Sequence, residues 1–181
     1  LSNGLNEKLH PVMDELVTVL ESMGLHVVIA KKLFGFLHAS DQEKAEMLMA
    51  FYEDKEMAAI FDVSGGDLAN GVLPYLDFQV IEQSNKPFFG YSDLSVILNG
   101  LYAKTNQQTY LYQIRNLVGL DGAQQIENFK RTFFDEKSDL FDIEVEWIQG
   151  NQLSGVAVGG NIRCFLKLAG TPYMPDFKNK V

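Results

Sequence analysis

The chain has few of the residues that mark several common protein classes. Its one cysteine, Cys164, cannot form an internal disulfide, and no cysteine and histidine cluster has the spacing of a zinc site. No apolar run approaches the roughly 20 residues of a membrane-spanning helix. The 15 lysines and arginines stand against 24 acidic residues, which gives a formal net charge of -9. We therefore expect no nucleic acid, membrane or metal as a partner, and we expect a cytoplasmic location.

The residues that are present are those of a globular protein. Hydrophobic residues make up 46% of the 181 positions and aromatic residues 12%, which is enough for one domain with a sizeable core. The chain lacks the G-x-G-x-x-G pattern of dinucleotide sites and the Walker A pattern of phosphate sites, so we expect no cofactor. The remaining candidates are small-molecule chemistry and protein recognition.

Helical and strand patterns alternate along the chain. Periodic apolar residues predict seven helices, over 5–23, 40–52, 68–73, 77–84, 94–102, 122–134 and 162–168. Local end signals support three of them, with a stop at Gly24, a capping box at Ser40 and a cap at Asp77. Buried or alternating apolar runs predict strands over 25–30, 57–63, 88–91, 108–112 and 143–147. The order predicts an α/β fold, an open, mostly parallel sheet with helices on both faces, like a flavodoxin or Rossmann domain.

The domain organisation is expected to be one α/β domain followed by a connection. We assign residues 1–150 to the domain and 151–181 to a connection into a C-terminal domain. A parallel sheet of this kind normally begins with a strand, so we expect a first strand to precede Leu1.

The stretch from Pro87 to Thr105 carries the first candidate for chemistry. An aromatic strand meets a helix there, and Ser92 and Asp93 lie at the junction. A serine on a sharp strand-to-helix turn is exposed beside free helix N–H groups, which suits a nucleophile. Serine and aspartate are also common helix N-caps, and the turn lacks the second glycine of the G-x-S-x-G pattern. From this stretch alone, a simple cap and a nucleophile both stay open, and the cap is favoured.

A second candidate turn follows the strand predicted over 57–63. Its sequence is Ser64-Gly65-Gly66-Asp67. Paired glycines at the carboxyl end of a strand permit positive φ and let a ligand approach the backbone closely. On its own, this pattern most often marks a tight turn.

Taken together, three separated segments resemble the LD-carboxypeptidase family of serine peptidases, which includes the microcin C self-immunity peptidases. The segments are 64–77 (SGG and NGVLPYLD), 86–93 (KPFFGYSD) and 155–176 (GGN and GTPYMPD). The resemblance extends over most of the chain and reverses the preference at Ser92. It implies that Ser92 is the nucleophile and that the backbone N–H groups of Gly66 and Asp93 form the oxyanion hole. It also implies substrate contacts at Gly65, Asp67 and Asn70.

The activity that this resemblance implies is hydrolysis of an amide between L- and D-configured residues of a murein peptide, as in peptidoglycan recycling. The self-immunity branch instead cleaves an aminoacyl or peptidyl nucleotide. The chain departs from the family at Asp67, where tyrosine is frequent, and at Tyr112-Gln113, where the family has Gly-Pro. Both positions are expected near the substrate cleft.

The general base is missing from the predicted site. The family's glutamate and histidine follow the nucleophile in a second domain, and we expect them beyond Val181. His10, His26 and His38 all precede Ser92, on a predicted helix, strand and loop, and none is assigned to a catalytic triad. Residues 1–181 alone are therefore expected to have little peptidase activity.

Two other functions stay open. A non-catalytic module could hold a peptide or small ligand in the same cleft, and a flavodoxin-like nucleotide binder is disfavoured because no phosphate loop is present. The expected partner is a small peptide substrate, and a homodimer is possible.

Overall fold

The structure is a computed structural model that describes residues 1–34 and 39–181. It contains two compact units, each built from separate parts of the chain. The first unit comprises Leu1–Glu7, Ala30–Gln113 and Gly155–Val181, and the second comprises Lys8–Ile29 and Ile114–Ser154. The division after residue 150 stays a prediction.

A parallel sheet forms the centre of the first unit. Its strands are β1 (Ile60–Phe61), β2 (Phe88–Gly90) and β3 (Tyr110–Leu111), and they lie in the order β1-β2-β3. Both pairings are parallel, with Ile60 opposite Phe88 and Phe89 opposite Tyr110. The predicted α/β class with a parallel sheet is confirmed. Two predicted strands are shorter than expected, at 60–61 instead of 57–63 and 110–111 instead of 108–112.

Aromatic stacking joins the three strands. The Phe89 ring stacks on Phe61 at a centroid distance of 4.3 Å and on Tyr110 at 4.5 Å. Stacked aromatic pairs contribute about 0.5–1.5 kcal/mol beyond the burial of their area. The aromatic run that predicted β2 therefore supplies side-chain contacts to both neighbouring strands.

The helices of the first unit pack around this sheet. They are α2 (Asp41–Glu53), α3 (Phe78–Ser84), α4 (Ser95–Thr105) and α6 (Ile162–Phe165), with 3-10 helices at Ala69–Tyr75, Ser92–Leu94 and Leu166–Leu168. The capping box of Ser40 with Glu43 is confirmed, as is the Asp77 cap, whose side chain accepts from the Gln79 and Val80 N–H groups.

One hydrophobic core holds these elements together. Helix α4 is buried from Ser95 to Leu101, so it runs through the core and does not lie on the surface. Its apolar side chains pack among those of β2, α2 and the 69–75 helix, including Phe88, Leu48 and Leu73. The strand and helix that flank Ser92 are thus both anchored in the core.

The second unit is helical. A 3-10 turn, Glu7–Leu9, leads from the first unit into α1 (His10–Ser22), and the unit also holds α5 (Gly122–Phe133) and a 3-10 helix, Ile114–Val118. Gly24 adopts φ +83° directly after α1, as the predicted helix stop requires. No helix in the described part of the chain has the length and apolar character that a bilayer crossing requires.

Two predicted strands were wrong. Residues 25–30 and 143–147 have no strand structure, and neither segment pairs with a neighbour within the described residues. Val28 is 45% exposed and Ile143 is 79% exposed, so the apolar pattern does not mark burial here. A strand is stable only when another strand accepts its backbone hydrogen bonds, and local sequence carries no information on that partner.

Candidate active site

The serine turn, which comprises Tyr91, Ser92 and Asp93, joins β2 directly to the helix that continues as α4. Ser92 has φ +55°, in the left-handed region, and is half-buried. Asn85 and Asn106 share this conformation, but they end helices and belong to the residue type that tolerates it. A serine held there between a strand and a helix carries about 1–3 kcal/mol of backbone strain. A strained strand-to-helix turn of this kind can expose a serine hydroxyl at the edge of the sheet.

Gly90 lets the strand and helix meet closely enough to form the turn. A Cβ at position 90 would lie 2.7 Å from the Leu94 Cβ, so a side chain does not fit. Gly90 corresponds to the first glycine of the G-x-S-x-G pattern, and Leu94 stands at the position of the second.

The glycine turn, which comprises Ser64, Gly65 and Gly66, follows β1. Gly66 has φ +142°, and a Cβ there would collide with the Asn3 side chain. Gly65 has open space at the same position. The second glycine is thus required by its conformation and by its neighbour, whereas the first is not.

Parallel pairing brings both turns to one edge of the sheet. The Asp62 N–H donates to the Phe89 carbonyl at 2.8 Å, which extends the pairing of β1 and β2 to their carboxyl ends. The Tyr112 N–H donates to the Gly90 carbonyl at 2.8 Å and does the same for β3. Ligands of open parallel sheets bind at this edge.

Ser2 and Asn3 connect the two turns. The Ser2 hydroxyl donates to Asp93 Oδ2, and its backbone N–H donates to Ser64 Oγ at 3.2 Å. The Asn3 N–H donates to the Gly65 carbonyl at 3.4 Å. One short segment thus contacts the turn that follows β1 and the turn that follows β2.

Asp93 is a buried carboxyl. It is 1% exposed, and its Oδ1 has no hydrogen-bond partner among the described residues. Burial raises its pKa above the usual range, and the nearby Asp62 carboxylate raises it further, against the lowering effect of the Ser2 hydroxyl. Asp62 accepts from Ser64 Oγ at 2.5 Å and from the Ser64 N–H at 2.7 Å.

Asp67 lies directly after the glycine turn and is held by cations. Arg163 Nη1 lies 2.5 Å from Asp67 Oδ1 and Lys167 Nζ lies 3.5 Å from it. Lys167 also donates to the Asp67 backbone carbonyl. The hydrogen bond from Arg163 lowers the pKa of the Asp67 carboxyl, although 47% of this side chain is exposed.

A group of polar side chains on α4 supports the serine turn. Ser95 Oγ donates to the Ser92 carbonyl at 2.7 Å and accepts from the Asn161 N–H at 2.9 Å. Asn99 exchanges two hydrogen bonds with the backbone of Gly159, at 2.7 and 2.9 Å. A Cβ at Gly160 would collide with Ser95 Oγ. The Gly159-Gly160-Asn161 segment therefore packs closely against the α4 residues that support the serine turn.

The structure brings most of the predicted site residues to one place. Ser92 and Asp93 lie on the serine turn, and Gly65, Gly66 and Asp67 lie at the end of β1, on the same sheet edge. Asn70 is exposed on the following 3-10 helix. The catalytic and substrate-binding roles of these residues stay predictions.

The other residues singled out in the sequence have different positions. Tyr112 and Gln113 are buried at the end of β3, where burial raises the pKa of Tyr112 to about 12. His10 begins α1 and is exposed, and His26 is exposed and does not lie in a strand, contrary to the prediction. His38 lies outside the described residues. Cys164 is buried in α6, as expected of a small core residue.

Sequence reasoning missed several residues that shape the site. Ser2 is separated from Asp93 by 91 positions, and no local pattern connects them. Arg163 and Lys167 gave a weak signal, since two cations four residues apart lie on one side of a predicted helix. Nothing in the sequence joined that pair to Asp67.

The arrangement can support attack on a carbonyl carbon. The half-buried Ser92, with its strained backbone, is a candidate nucleophile, and the two turns at one sheet edge offer candidate N–H donors for the oxygen that becomes negative. Neither of the described histidines, His10 and His26, belongs to the first unit.

Comparison with known proteins shows what the chain is similar to. Residues 1–112 match the model of the LD-carboxypeptidase N-terminal domain. A probable murein peptide carboxypeptidase of Bacillus subtilis is 27% identical over 179 residues, which cover 93% of this chain and 56% of that protein. The microcin C7 self-immunity protein MccF of Escherichia coli is 31% identical over 97 residues, which cover 52% of this chain and 28% of that protein.

A solved structure is similar to this chain in its fold. The MccF-like protein of Bacillus anthracis superposes with a TM-score of 0.78 at 22% identity, over 99% of this chain and 66% of that one. The present chain spans a little over half the length of the Bacillus subtilis carboxypeptidase. Since the family model covers more than half of the sequence and the serine and glycine turns fall within it, the chain belongs to the LD-carboxypeptidase family.

Proposed function

We propose that the natural protein containing this chain is a serine carboxypeptidase that hydrolyses an amide between L- and D-configured residues of a murein peptide. Membership of the LD-carboxypeptidase family and similarity to a murein peptide carboxypeptidase support this substrate class. One observation carries the proposal. Ser92 has left-handed backbone geometry at the strand-to-helix junction, and this junction lies on the same sheet edge as the glycine turn.

The proposed reaction begins with attack by Ser92 Oγ on the carbonyl carbon of the scissile amide. The hydroxyl proton passes to a general base, and the carbonyl oxygen becomes an oxyanion that accepts hydrogen bonds from the N–H groups of Gly66 and Asp93. The C–N bond then breaks, the leaving amine takes up a proton, and a terminal D-residue departs. Water hydrolyses the ester on Ser92 and restores the enzyme.

The proposed reaction needs a general base for Ser92, and the roles assigned to the described residues do not include one. A serine hydroxyl without a base is a weak nucleophile, so we expect residues 1–181 by themselves to show little turnover. Asp67, directly after the glycine turn, and Asn70, on the following 3-10 helix, are the proposed substrate contacts together with the Gly65 backbone.

Replacement of Ser92 by alanine in the natural full-length protein tests the nucleophile. We expect release of D-alanine from a murein tetrapeptide to fall by at least about 10³-fold, because the attacking oxygen is removed. Ser84→Ala is the matched control, since this hydroxyl makes local contacts at the end of α3, where it donates to the Ile81 carbonyl and accepts from the Lys86 N–H at 3.4 Å, and should be dispensable for catalysis. Unchanged D-alanine release by Ser92→Ala would refute the assignment.

A second candidate is hydrolysis of an aminoacyl or peptidyl nucleotide. It is supported by the similarity of this chain to the microcin C7 self-immunity protein. The two candidates are separated by comparing kcat/KM for a murein tetrapeptide with kcat/KM for an aminoacyl nucleotide in which an amide joins the amino acid to the nucleotide. A preference for the nucleotide would reverse the order of the two proposals.

A further inference from the structure

We propose that the Asp93 side chain is a positioning residue, which holds the serine turn in its reactive conformation through a hydrogen bond from Ser2. This inference rests on the proposed function and assigns a role to the carboxyl group, whereas the proposed reaction uses only the Asp93 backbone N–H. It also makes Ser2 part of the same device, although Ser2 lies far from both turns in the sequence.

The bond between Ser2 and Asp93 lies in the interior of the first unit. Ser2 is 0% exposed and Asp93 is 1% exposed, so water does not replace either partner when the other is lost. The Ser2 hydroxyl donates to Oδ2, while Oδ1 has no partner among the described residues. A single hydroxyl therefore orients a buried carboxyl, and the cost of removing it is large compared with that of a surface hydrogen bond.

The other contacts of this segment explain why the bond matters to the site. The Ser2 N–H donates to Ser64 Oγ at 3.2 Å, and the side chain of Asn3 fills the space beside Gly66. The glycine turn and Asp93 thus share one support. The bond sets the position of one proposed oxyanion donor, the Asp93 N–H, relative to the other, the Gly66 N–H.

The strain at Ser92 makes this support necessary. A serine with left-handed backbone dihedral angles keeps that conformation only when the surrounding contacts enforce it. From the α4 side, Ser95 Oγ donates to the Ser92 carbonyl at 2.7 Å. Ser2, near the start of the chain, holds Asp93, the residue after Ser92, through its hydroxyl group. Loss of the Ser2 bond leaves only the first of these polar restraints, and misplacement of a reacting group by about 1 Å can reduce the rate about 100-fold.

The discriminating variants are Asp93→Asn and Asp93→Leu in the natural full-length protein. Both are uncharged and branch at Cγ as aspartate does, but only asparagine keeps an oxygen that can accept from Ser2. The readouts are the rate constant for labelling of Ser92 by a serine-reactive phosphonate and the kcat and KM for a murein tetrapeptide. We expect Asp93→Leu to reduce the labelling rate and kcat about 10- to 100-fold with KM within about 2-fold, and Asp93→Asn to retain most of both.

Ser2→Ala approaches the same bond from the donor side and decides the matter if Asp93→Leu does not fold. We expect it to lower the labelling rate and kcat by a factor similar to that of Asp93→Leu. In the double variant, Ser2→Ala should add little to Asp93→Leu, because both changes remove one interaction. Labelling at the natural rate by folded Ser2→Ala, or fully additive effects, would overturn the proposal.

Asp77→Leu is the matched control for loss of a structural aspartate. Asp77 caps α3, so its loss should lower the melting temperature but leave the labelling rate per folded molecule unchanged. If Asp93→Leu behaves like Asp77→Leu, with lower stability and a normal labelling rate, Asp93 is merely structural and the inference fails. If the natural protein is not labelled at Ser92 at all, the proposed function fails first, and the two failures are distinguishable.

Discussion

Two aspartates follow the two turns of the proposed site, and they are held in opposite ways. Asp93 is 1% exposed and receives one side-chain hydrogen bond, from Ser2. Asp67 has 47% of its side chain exposed and is paired with Arg163 and Lys167. Burial raises the pKa of Asp93, whereas the hydrogen bond from Arg163 lowers that of Asp67. The same residue type, one position after a proposed catalytic residue, thus has two different electrostatic environments.

The contrast between the two carboxyls shows which contacts hold each turn. An exposed ion pair contributes little, because water and salt screen it and long side chains lose entropy when they are fixed. A buried hydrogen bond has no substitute, so its removal leaves an unsatisfied polar atom. We infer that the serine turn relies on its buried polar contacts, and that the glycine turn relies on its backbone conformation and on Asn3 more than on the charges around Asp67.

The largest expected effect on the glycine turn comes from Gly66→Ala. Gly66 combines φ +142° with a neighbouring Asn3 side chain that a Cβ would meet. We expect a loss of about 1–3 kcal/mol in the free energy of unfolding from the backbone strain alone, measured by denaturant titration of the natural full-length protein.

Gly65→Ala is the control for Gly66→Ala, since a Cβ at position 65 meets nothing within 4 Å. We expect it to change the free energy of unfolding by less than about 1 kcal/mol. Equal losses for the two variants would show that the conformation of Gly66 is not the restraint that holds this turn.

The opposite pKa shifts of Asp93 and Asp67 predict opposite effects of pH on stability. The folded-state pKa of Asp93 is raised, so its contribution to stability is complete below the unfolded pKa of about 3.9 and is lost as pH rises through the folded pKa. The folded-state pKa of Asp67 is lowered, so its contribution is present above about 3.9 and is lost as pH falls through the folded pKa.

Thermal unfolding of the natural protein, Asp93→Asn and Asp67→Asn across acid and neutral pH measures these contributions. The melting temperature of the natural protein minus that of Asp93→Asn should fall as pH rises above the ordinary aspartate range. The melting temperature of the natural protein minus that of Asp67→Asn should rise as pH increases from strongly acid values to the ordinary aspartate range. Slopes of the same sign would contradict the comparison between the two carboxyls.

The smallest expected effect is that of Arg163→Gln. This substitution removes the cation closest to the Asp67 carboxylate but leaves Lys167, which also donates to the Asp67 backbone carbonyl. We expect a small decrease in melting temperature that disappears at high salt, because the pair is exposed and screened. A large decrease that persists at high salt would show that the ion pair, and not the glycine conformation, holds the turn.

Local sequence signals predicted the parts of the fold that depend on neighbouring residues. The Ser40 capping box, the Asp77 cap and the stop at Gly24 are all found in the structure. The aromatic run at Phe88 and Phe89 marked the central strand correctly. Each of these features is formed by residues within a few positions of one another, so sequence spacing suffices to identify it.

The wrong predictions concern contacts between distant segments. The apolar alternation at 143–147 resembles a strand, but its partner would have to come from elsewhere in the chain, and Ile143 is largely exposed. The bond from Ser2 to Asp93 spans 91 positions and leaves no periodic signal. Similarity to a family indicated Ser92 and Gly66, but the residues that hold those turns in place became visible only in three dimensions.

The most direct test of the proposed site is covalent labelling of the natural full-length protein with a serine-reactive phosphonate, followed by peptide mass spectrometry. The site as described predicts one modification, on the peptide that contains Ser92, with labelling abolished in Ser92→Ala and retained in Ser84→Ala. Labelling that is absent, or that falls on another serine while Ser92 stays unmodified, would contradict it.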